Sequence, residues 1–424
     1  MKFLFSSALS LALISNAYME STPPTPPSPT APFTLLHDGS FNSEVINVSV
    51  KNTTCSGTIS LVAALRDGAI EYYDGANWQQ LHNDSWAASI TQMNVNWSAG
   101  TPQIVVGLST GAVEYYQNGA WSELLNNSSA IPVIQMSVDW SHSTPRVIIG
   151  LASGQIEYYV GGTWTQLQST IWDSPITQIN VDWSHTNPRI IAALGTGNVE
   201  YYTAGAWSEI RNYSWDSPVT QMAVDWSHDA PRVVVGLGMG SIEYYNGGLG
   251  TWTELQTNVW NRPVQQLAVN WPTGNGNQFP SIVVGLGNNN DTMGPSGLVE
   301  YYDGHSWNQL HDGSWRAPIS HMAVQWTSGT PNVLVGLGLY LTIGYEWITG
   351  SPIAVENKTL VALFTNNAWI IQAAENNPVS AMNAVFCSSG LPPSIVFALG
   401  PNQADLFNFE QAGPDAFKIF WNSK

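Results

Sequence analysis

The stretch "NVEYYTAGAWSEI", from Asn198 to Ile210, recurs with small changes along most of the chain. Its glutamate returns every 43 residues from Glu71 to Glu243, and one more copy follows after 57 residues. The repeated positions are Glu71, Glu114, Glu157, Glu200, Glu243 and Glu300. A period of this length indicates a structural unit that packs against copies of itself.

Residues 174–210 show what one unit contains. "TQINVDW" (177–183) alternates apolar and polar residues, and "RIIAALG" (189–195) is a continuous apolar run of the kind that is buried on both faces. "NVEYY" (198–202) and "AWSEI" (206–210) follow after short turns rich in Gly, Asn and Pro. Four short strands in each period, with no helical periodicity, predict a β-propeller blade.

The first strand of the unit can be counted eight times, from "INVSV" (46–50) to "MNAVF" (382–386). The seventh unit has lost its Glu-Tyr-Tyr but keeps its last two strands as "TLVALFTNNAWIIQ" (359–372). The sequence therefore predicts a single all-β propeller over 33–424 with eight four-stranded blades. Seven blades are the alternative if a degenerate unit does not form a blade.

A propeller must join its two chain ends, because an open first or last blade would expose sheet edges. Either "FTLLHDGSF" (33–41) or "FKIFW" (417–421) can supply the strand that completes the last blade. The chain has two cysteines, Cys55 and Cys387, which follow the first strand of the first and eighth units. A Cys55–Cys387 disulfide is predicted if the ring closes, and two unpaired thiols are the alternative.

The amino terminus predicts export. Residues 1–17 combine Lys2, the apolar run "FLFSSALSLALI" and a small-residue cleavage site ending at Ala17, as in a secretory signal peptide. Residues 18–32 are rich in Pro, Ser and Thr and predict an extended linker. We expect a secreted, extracellular protein with no membrane span.

The charge balance narrows the choice of partners. Twelve Lys and Arg stand against 30 Asp and Glu, which gives a formal net charge of −18. Such a surface repels phosphate backbones and anionic bilayers, so nucleic acid is not an expected partner.

The layout of the unit, with a Trp after the first strand and a Tyr in the third, resembles WD-repeat propellers over 33–424. It lacks their Gly-His start and Trp-Asp end. The trailing Trp and the Glu-Tyr-Tyr are more similar to lectin-type propellers, including the fungal fucose-binding and tectonin-like groups, although no defined sugar motif matches. The resemblance implies a propeller and, as an expectation, carbohydrate recognition.

The candidate ligand-binding residues lie in the loop after each fourth strand, where a Trp comes eight residues after the strand's own Trp. They are Trp86, Trp172, Asp173, Trp215, Asp216, Trp260, Asn261, Trp315 and Arg316. An aromatic ring beside short polar side chains suits a sugar, which stacks on the ring while its hydroxyls are hydrogen-bonded. The alternative is that each Trp wedges between adjacent blades.

Other repeated residues are interpreted as structural. The glutamate of Glu-Tyr-Tyr is expected to pair with a turn amide or with Arg146, Arg189 and Arg232. His142, His185 and His228 lie in turns without companions at ligand spacing, so no metal and no cofactor is predicted.

No catalytic motif is present, so the sequence favours a non-enzymatic protein. The predicted function is multivalent recognition of glycans or glycoproteins through the Trp-bearing loops. The alternative is a secreted scaffold for another protein, which would use the same rim and the insertion at 339–357. A glycoside hydrolase is the third possibility, because acidic residues are plentiful enough to form a carboxylate pair. It ranks below the other two because no catalytic motif accompanies them.

Overall fold

The structure, a computed structural model, describes thirty-three β-strands and no α-helix within its described residues. Those residues are 33–38, 41–51, 59–98, 100–126, 130–168, 171–211, 215, 217–257, 260–272, 279–287, 297–313, 317–326, 330–338, 340–345, 352–365, 368–375, 379–385, 394–399 and 405–409.

The strands follow the predicted four-strand unit. The described chain begins with β1 (Phe33–Asp38), which precedes the first unit. Blades 1 and 2 contain β2 Val45–Lys51, β3 Ser60–Leu65, β4 Ala69–Tyr73, β5 Trp78–Asn83, β6 Ile90–Asn96, β7 Gln103–Leu108, β8 Val113–Gln117 and β9 Ala120–Leu125. Blades 3 and 4 contain β10 Val133–Asp139, β11 Arg146–Leu151, β12 Ile156–Val160, β13 Thr163–Gln166, β14 Ile176–Asp182, β15 Arg189–Leu194, β16 Val199–Thr203 and β17 Ala206–Arg211.

The second half of the chain keeps the same order. Blades 5 and 6 contain β18 Val219–Asp225, β19 Arg232–Leu237, β20 Ile242–Asn246, β21 Thr251–Gln256, β22 Val264–Asn270, β23 Ser281–Leu286, β24 Leu298–Tyr302 and β25 Trp307–Asp312. Blade 7 contains β26 Ile319–Gln325, β27 Asn332–Leu337, β28 Tyr340–Tyr345, β29 Pro352–Thr365 and β30 Ala368–Glu375. The last strands are β31 Val379–Val385, β32 Ser394–Leu399 and β33 Asp405–Phe409.

These strands form eight antiparallel sheets arranged as one propeller. Seven are blades of continuous chain, which is the number of the alternative prediction, and the eighth sheet has the order β1-β33-β32-β31. The eight units counted in the sequence thus correspond to eight sheets. First strands of consecutive sheets contact one another around the ring, including β31 with β2. The prediction of a single all-β propeller with four-stranded antiparallel blades is confirmed.

The amino-terminal strand closes the ring. β1 pairs antiparallel with β33, from Phe33 opposite Phe409 to Asp38 opposite Asp405. "FTLLHD" therefore supplies the outermost strand of the eighth sheet, while "FKIFW" lies outside the described residues. Cys55 and Cys387 also lie outside them, so their disulfide stays a prediction, although β2 and β31, which precede them, are neighbours.

The hydrophobic core lies between blades. Second strands such as β11 are buried along their whole length, and one apolar cluster combines Val62 and Ala64 of blade 1 with Ile104 and Val106 of blade 2. Neighbouring blades pack so closely that some positions have no room for a side chain: a Cβ on Gly150 would lie 2.6 Å from Ile179 Cδ1. The apolar runs of the repeat are continuous because each second strand faces a neighbouring blade on both sides.

Polar side chains on the inner strands join each blade to its neighbour. The Trp at the end of a first strand donates its indole N–H to the first strand of the preceding blade; Trp140 Nε1 reaches Asn94 Oδ1 at 2.8 Å and Trp226 Nε1 reaches Asn180 Oδ1 at 2.7 Å. In the other direction, Gln135 Nε2 donates to Thr177 O of the following blade at 2.9 Å. These bonds explain why Trp ends the first strand in most units.

One predicted loop is a sheet extension. The insertion at 339–357 was expected as a loop on the rim, but β28 pairs with the first half of β29, from Tyr340 opposite Lys358 to Tyr345 opposite Pro352. The third strand of blade 7 is therefore long, and the described inserted residues, 340–345 and 352–357, pair as the two strands of a hairpin. The expected last two strands of this unit, 359–372, are confirmed as part of β29 and β30.

Candidate functional site

The candidate loop residues lie where a connecting segment packs against the blade that follows it. We call each such place a seam and number it after that blade. Because strands alternate in direction, these segments lie at the same edge of the ring as the turns between second and third strands, and we call this edge the loop rim.

Four of the predicted Trp residues pack at seams. Each ring makes an edge-to-face contact with the Trp of the next fourth strand. The centroid distances are 4.8 Å for Trp86–Trp121, 4.9 Å for Trp172–Trp207, 5.0 Å for Trp215–Trp252 and 4.9 Å for Trp260–Trp307. Trp215 is buried and the other three are half-buried. The structure thus shows the wedge between blades that was the alternative interpretation, and sugar stacking on these rings stays a prediction.

The structure describes only some of the other candidate residues in these loops. Asp173 and Asn261 are exposed beside Trp172 and Trp260. Asp216, Trp315 and Arg316 lie outside the described residues.

The Trp of each fourth strand is anchored to the preceding blade. Its indole N–H donates to a main-chain oxygen of the previous fourth strand, as in Trp121 Nε1 to Leu81 O (2.8 Å) and Trp252 Nε1 to Ile210 O (2.8 Å). A buried indole N–H needs such an acceptor. This Trp is therefore a fixed wall of the seam.

The repeated glutamates form the inner wall of the seams. Glu71, Glu114, Glu200, Glu243 and Glu300 are at most 9% exposed. Burial raises the pKa of Glu114 and Glu200 to about 7, and the facing Glu123 and Glu209 on the fourth strands add to it. These carboxyl groups can exchange a proton near neutral pH.

These glutamates were expected to pair with a turn amide or with Arg146, Arg189 and Arg232, but the arginines are bound elsewhere. In blades 1 and 6 an amide faces the carboxylate instead: Gln80 Nε2 donates to Glu71 Oε1 at 3.0 Å and Gln309 Nε2 donates to Glu300 Oε1 at 3.2 Å. The arginines are bound by aspartates that end the first strands, as in Arg146 Nε to Asp139 Oδ2 and Arg189 Nε to Asp182 Oδ2, both 2.7 Å. Asp139 lies directly opposite Arg146, whereas Glu157 lies opposite Ile149, three residues further along the second strand.

Each arginine also reaches the next blade. Arg146 lies over the Trp183 ring with 5.1 Å from Cζ to the centroid, and its Nη1 donates to Thr186 O at 3.2 Å. Arg189 repeats the arrangement with Trp226 at 5.1 Å. The Asp–Arg pairs are clamps between blades.

A serine and a histidine stand beside each clamp without forming a catalytic relay. His142 Nδ1 lies 2.9 Å from Ser141 Oγ and 3.1 Å from Asp139 Oδ2. A relay needs one ring nitrogen for the serine and the other for the aspartate, whereas here the same nitrogen faces both. The histidine is a turn residue, as predicted, and no group of three or more potential ligands is arranged for a metal within the described residues.

The first seam differs from the second, fourth, fifth and sixth because Phe41 stands where they carry Trp. It contacts Trp78 edge-to-face with centroids 5.2 Å apart. A cavity of about 250 Å³ opens beside the two rings. Its described lining consists of Phe41, Asn42, Leu65, Asp67, Ala69, Glu71, Trp78, Gln80, Asn83 and Asp84.

The chemistry of this cavity is acidic, polar and aromatic. Glu71 lies in its wall, and burial raises the pKa of this carboxyl against the opposing bond from Gln80, while Asp67 raises it further. Asn83, Asp84 and Gln80 are exposed, so the cavity reaches the surface of the loop rim.

Local turns hold the acidic residues in place. Asp67 Oδ1 accepts the N–H of Ala69 at 3.1 Å, and Gly68 has a φ of 102°, which suits a residue without a side chain. Asp84 follows β5 with a φ of 73°. Both acids are therefore fixed at the rim by backbone geometry.

The fifth seam contains a cation of the protein itself. The Arg211 guanidinium lies 4.6 Å from the Trp215 ring and 5.9 Å from the Trp252 ring. Burial raises the pKa of Glu243 in this seam to about 7, although the positive charge of Arg211 opposes the shift. The acidic and aromatic walls of a seam thus accommodate a positive charge.

Sequence reasoning missed the first-seam cavity. Phe41 comes eight residues after Phe33 and so holds the position of a loop Trp, but a smaller ring at that position does not by itself predict a cavity. The available signal was the substitution of the smaller aromatic residue at one position of a repeat.

Comparison with known proteins gives similarities of structure only. No known family and no curated protein sequence matches the chain. Among solved structures it is similar to the WD40 β-propeller domain of Doa1, with 12% identity, 88% of this chain and 96% of that chain covered, and a TM-score of 0.44. It is also similar to YCF48 bound to D1 peptide, with 12% identity, 74% and 96% covered, and a TM-score of 0.48.

A third similar structure is BBS1N in complex with ARL6DN, with 12% identity, 91% of this chain and 99% of that chain covered, and a TM-score of 0.47. At these identities no binding property is transferred. Within the described residues, no helix has the length and apolarity to cross a bilayer.

Proposed function

We propose that the protein is an exported, non-enzymatic binding protein that recognises carbohydrate at the seams of its loop rim. The observation that carries the proposal is the first-seam cavity, where Phe41 and Trp78 form an aromatic corner beside amide and carboxylate groups. A sugar ring offers an apolar C–H face to such a corner and hydroxyl donors to the oxygens of Asn42, Asn83 and Gln80.

The second, fourth, fifth and sixth seams repeat the walls of this site in narrower form. They keep the fourth-strand Trp and the buried glutamate, but the loop Trp fills the place of Phe41. Several weak rim sites would gain affinity for a multivalent glycan surface through avidity. The exposed Asp173 and Asn261 lie where hydroxyls of such a glycan would contact the rim.

The test is a glycan array probed with the full chain and with a Phe41→Trp variant. This variant gives the first seam the residue of its neighbours, so it should fill the cavity and lower glycan binding about tenfold or more. Trp86→Phe is the matched control, because it makes the reverse change at the second seam and leaves the first cavity intact. Thermal unfolding of both variants verifies the fold, and a folded wild-type chain that binds no glycan overturns the proposal.

A protein-interaction scaffold is the second candidate. The hairpin of β28 and the first half of β29 favours it, since this hairpin extends from the loop rim beyond the four-stranded blade. A scaffold would ignore free sugars and lose its partner when the hairpin is removed.

A further inference from the structure

The first-seam cavity differs in charge from an ordinary neutral sugar site. Three carboxyl groups, those of Asp67, Glu71 and Asp84, belong to its described lining, and no Lys, Arg or His does. Arg66 lies next to Asp67 in the chain, but its Nη2 is paired with Glu44 Oε2 at 2.5 Å and its side chain is 63% exposed. No described cation therefore offsets the acidic wall.

The aromatic corner adds to the same preference. Phe41 and Trp78 meet edge-to-face, and the face of an indole or phenyl ring attracts a cation through its quadrupole. Carboxylates and ring faces together favour a positively charged group over a neutral one.

The fifth seam supplies the comparison within the same molecule. There the Arg211 guanidinium lies over the Trp215 ring and within 5.9 Å of the Trp252 ring, and its charge acts on the buried Glu243. Trp252 and Glu243 occupy the positions that Trp78 and Glu71 occupy in blade 1. Where the chain provides its own cation, the cation occupies the space between acidic and aromatic walls.

We propose that the first-seam cavity selects a sugar bearing a protonated amine, such as a glucosamine unit. This inference rests on the proposed carbohydrate function. The ammonium group lies among Asp67, Glu71 and Asp84, and the C–H face of the ring packs on Phe41 and Trp78. A phosphorylated, sulfated or carboxylated sugar is excluded by the same charges.

The experiment compares short glucosamine oligomers with N-acetylglucosamine oligomers of equal length, titrated calorimetrically into the full chain at about pH 6, below the pKa of a typical primary α-amine at about 7.7–8.0. The amine form should bind about tenfold more tightly, because the acetylated form has the same ring but no charge. Asp67→Asn and Asp84→Asn together should remove this preference. Asp173→Asn, an exposed acid at the fourth seam, is the matched control and should leave it unchanged.

The outcomes separate this inference from the proposed function. Equal affinity for the two oligomers, or a preference for the acetylated one, overturns amine selection while the sugar site stands. Binding of the amine form that survives Phe41→Trp also overturns it, because the charge preference would then belong to another part of the surface. Failure of both oligomers, together with an empty glycan array, overturns the carbohydrate function itself.

Discussion

At the scale of single residues, two kinds of side-chain pair join the first and second strands next to the turn that connects them. Blades 3, 4 and 5 use Asp139–Arg146 and its two counterparts. Blades 2 and 7 use neutral pairs at the same register, with Asn96 Nδ2 donating to Gln103 Oε1 at 2.7 Å in blade 2. A blade therefore folds with either a charged or a neutral pair at this position. In the charged pair, each member needs the other because both side chains are buried.

This dependence predicts a non-additive pair of substitutions. Arg146→Gln alone leaves Asp139 buried without its arginine, with only Ser141 and His142 beside it, and should lower the free energy of unfolding by up to about 3 kcal/mol. Adding Asp139→Asn gives blade 3 the neutral pair of blade 2 and should recover most of that loss, although the bond to Thr186 O stays missing. Chemical denaturation of the two single variants and the double variant measures the coupling. Additive losses would contradict the clamp.

At the scale of elements, blade 7 is the unit that departs most from the repeat. Its β29 pairs with β27 and β30 through residues 359–365, as any third strand does, while residues 352–358 pair only with β28 among the described strands. The hairpin is thus an addition to a complete blade. In blade 4 the same connection is the four-residue turn "GTGN" (195–198) between β15 and β16.

Replacing Gly338–Leu360 by Gly-Thr-Gly-Asn should therefore leave the propeller folded. Val361 would follow the new turn as Val199 follows its own, since both pair with the second-last residue of the preceding strand. We expect the Tm to change by only a few degrees, about the effect of 1 kcal/mol or less, and glycan binding to persist. A loss of glycan binding with the fold intact would transfer the carbohydrate site to the hairpin, and loss of a protein partner would support the scaffold.

The same scale shows what the sequence could predict. The strand order and the four-stranded unit followed from the 43-residue period, because each short strand repeats its own polarity pattern. The seam contacts could not follow from it, because they join groups that are about 40 residues apart, such as Trp121 Nε1 and Leu81 O. The glutamate partners lie only nine residues away, as Gln80 does from Glu71, but the polarity pattern does not say which side chains of neighbouring strands meet. The hairpin was missed because an insertion has no second copy to compare.

At the scale of the whole molecule, two sets of buried carboxyl groups give opposite pH dependences. Burial raises the pKa of Glu114, Glu200, Glu243 and Glu300 from 4.5 to about 7. Between these two values the folded chain binds more protons than the unfolded chain. The free energy of unfolding is therefore fully present below about pH 4.5 and falls as the pH rises toward 7. Asp182 is the reverse case: bonds from Ser184 and Arg189 outweigh burial and lower its pKa from 3.8 to about 2, so its contribution is lost as the pH falls through that range.

The Tm should therefore be highest near about pH 4–5 and decline toward pH 8. Repulsion between surface charges, from the net charge of −18, also lowers the Tm above pH 5. The measurement should therefore be made in high salt, which screens exposed charges but leaves the cost of ionising buried groups.

Scanning calorimetry of a variant with Glu114, Glu200, Glu243 and Glu300 all changed to Gln isolates the buried groups. It should flatten the decline above pH 5 and keep the loss below pH 4, because the Asp–Arg clamps are untouched. A wild-type Tm that rises between pH 5 and 7 in high salt would mean that these glutamates are ionised at little cost, and the seams would then be wetter than the packing of their Trp pairs indicates.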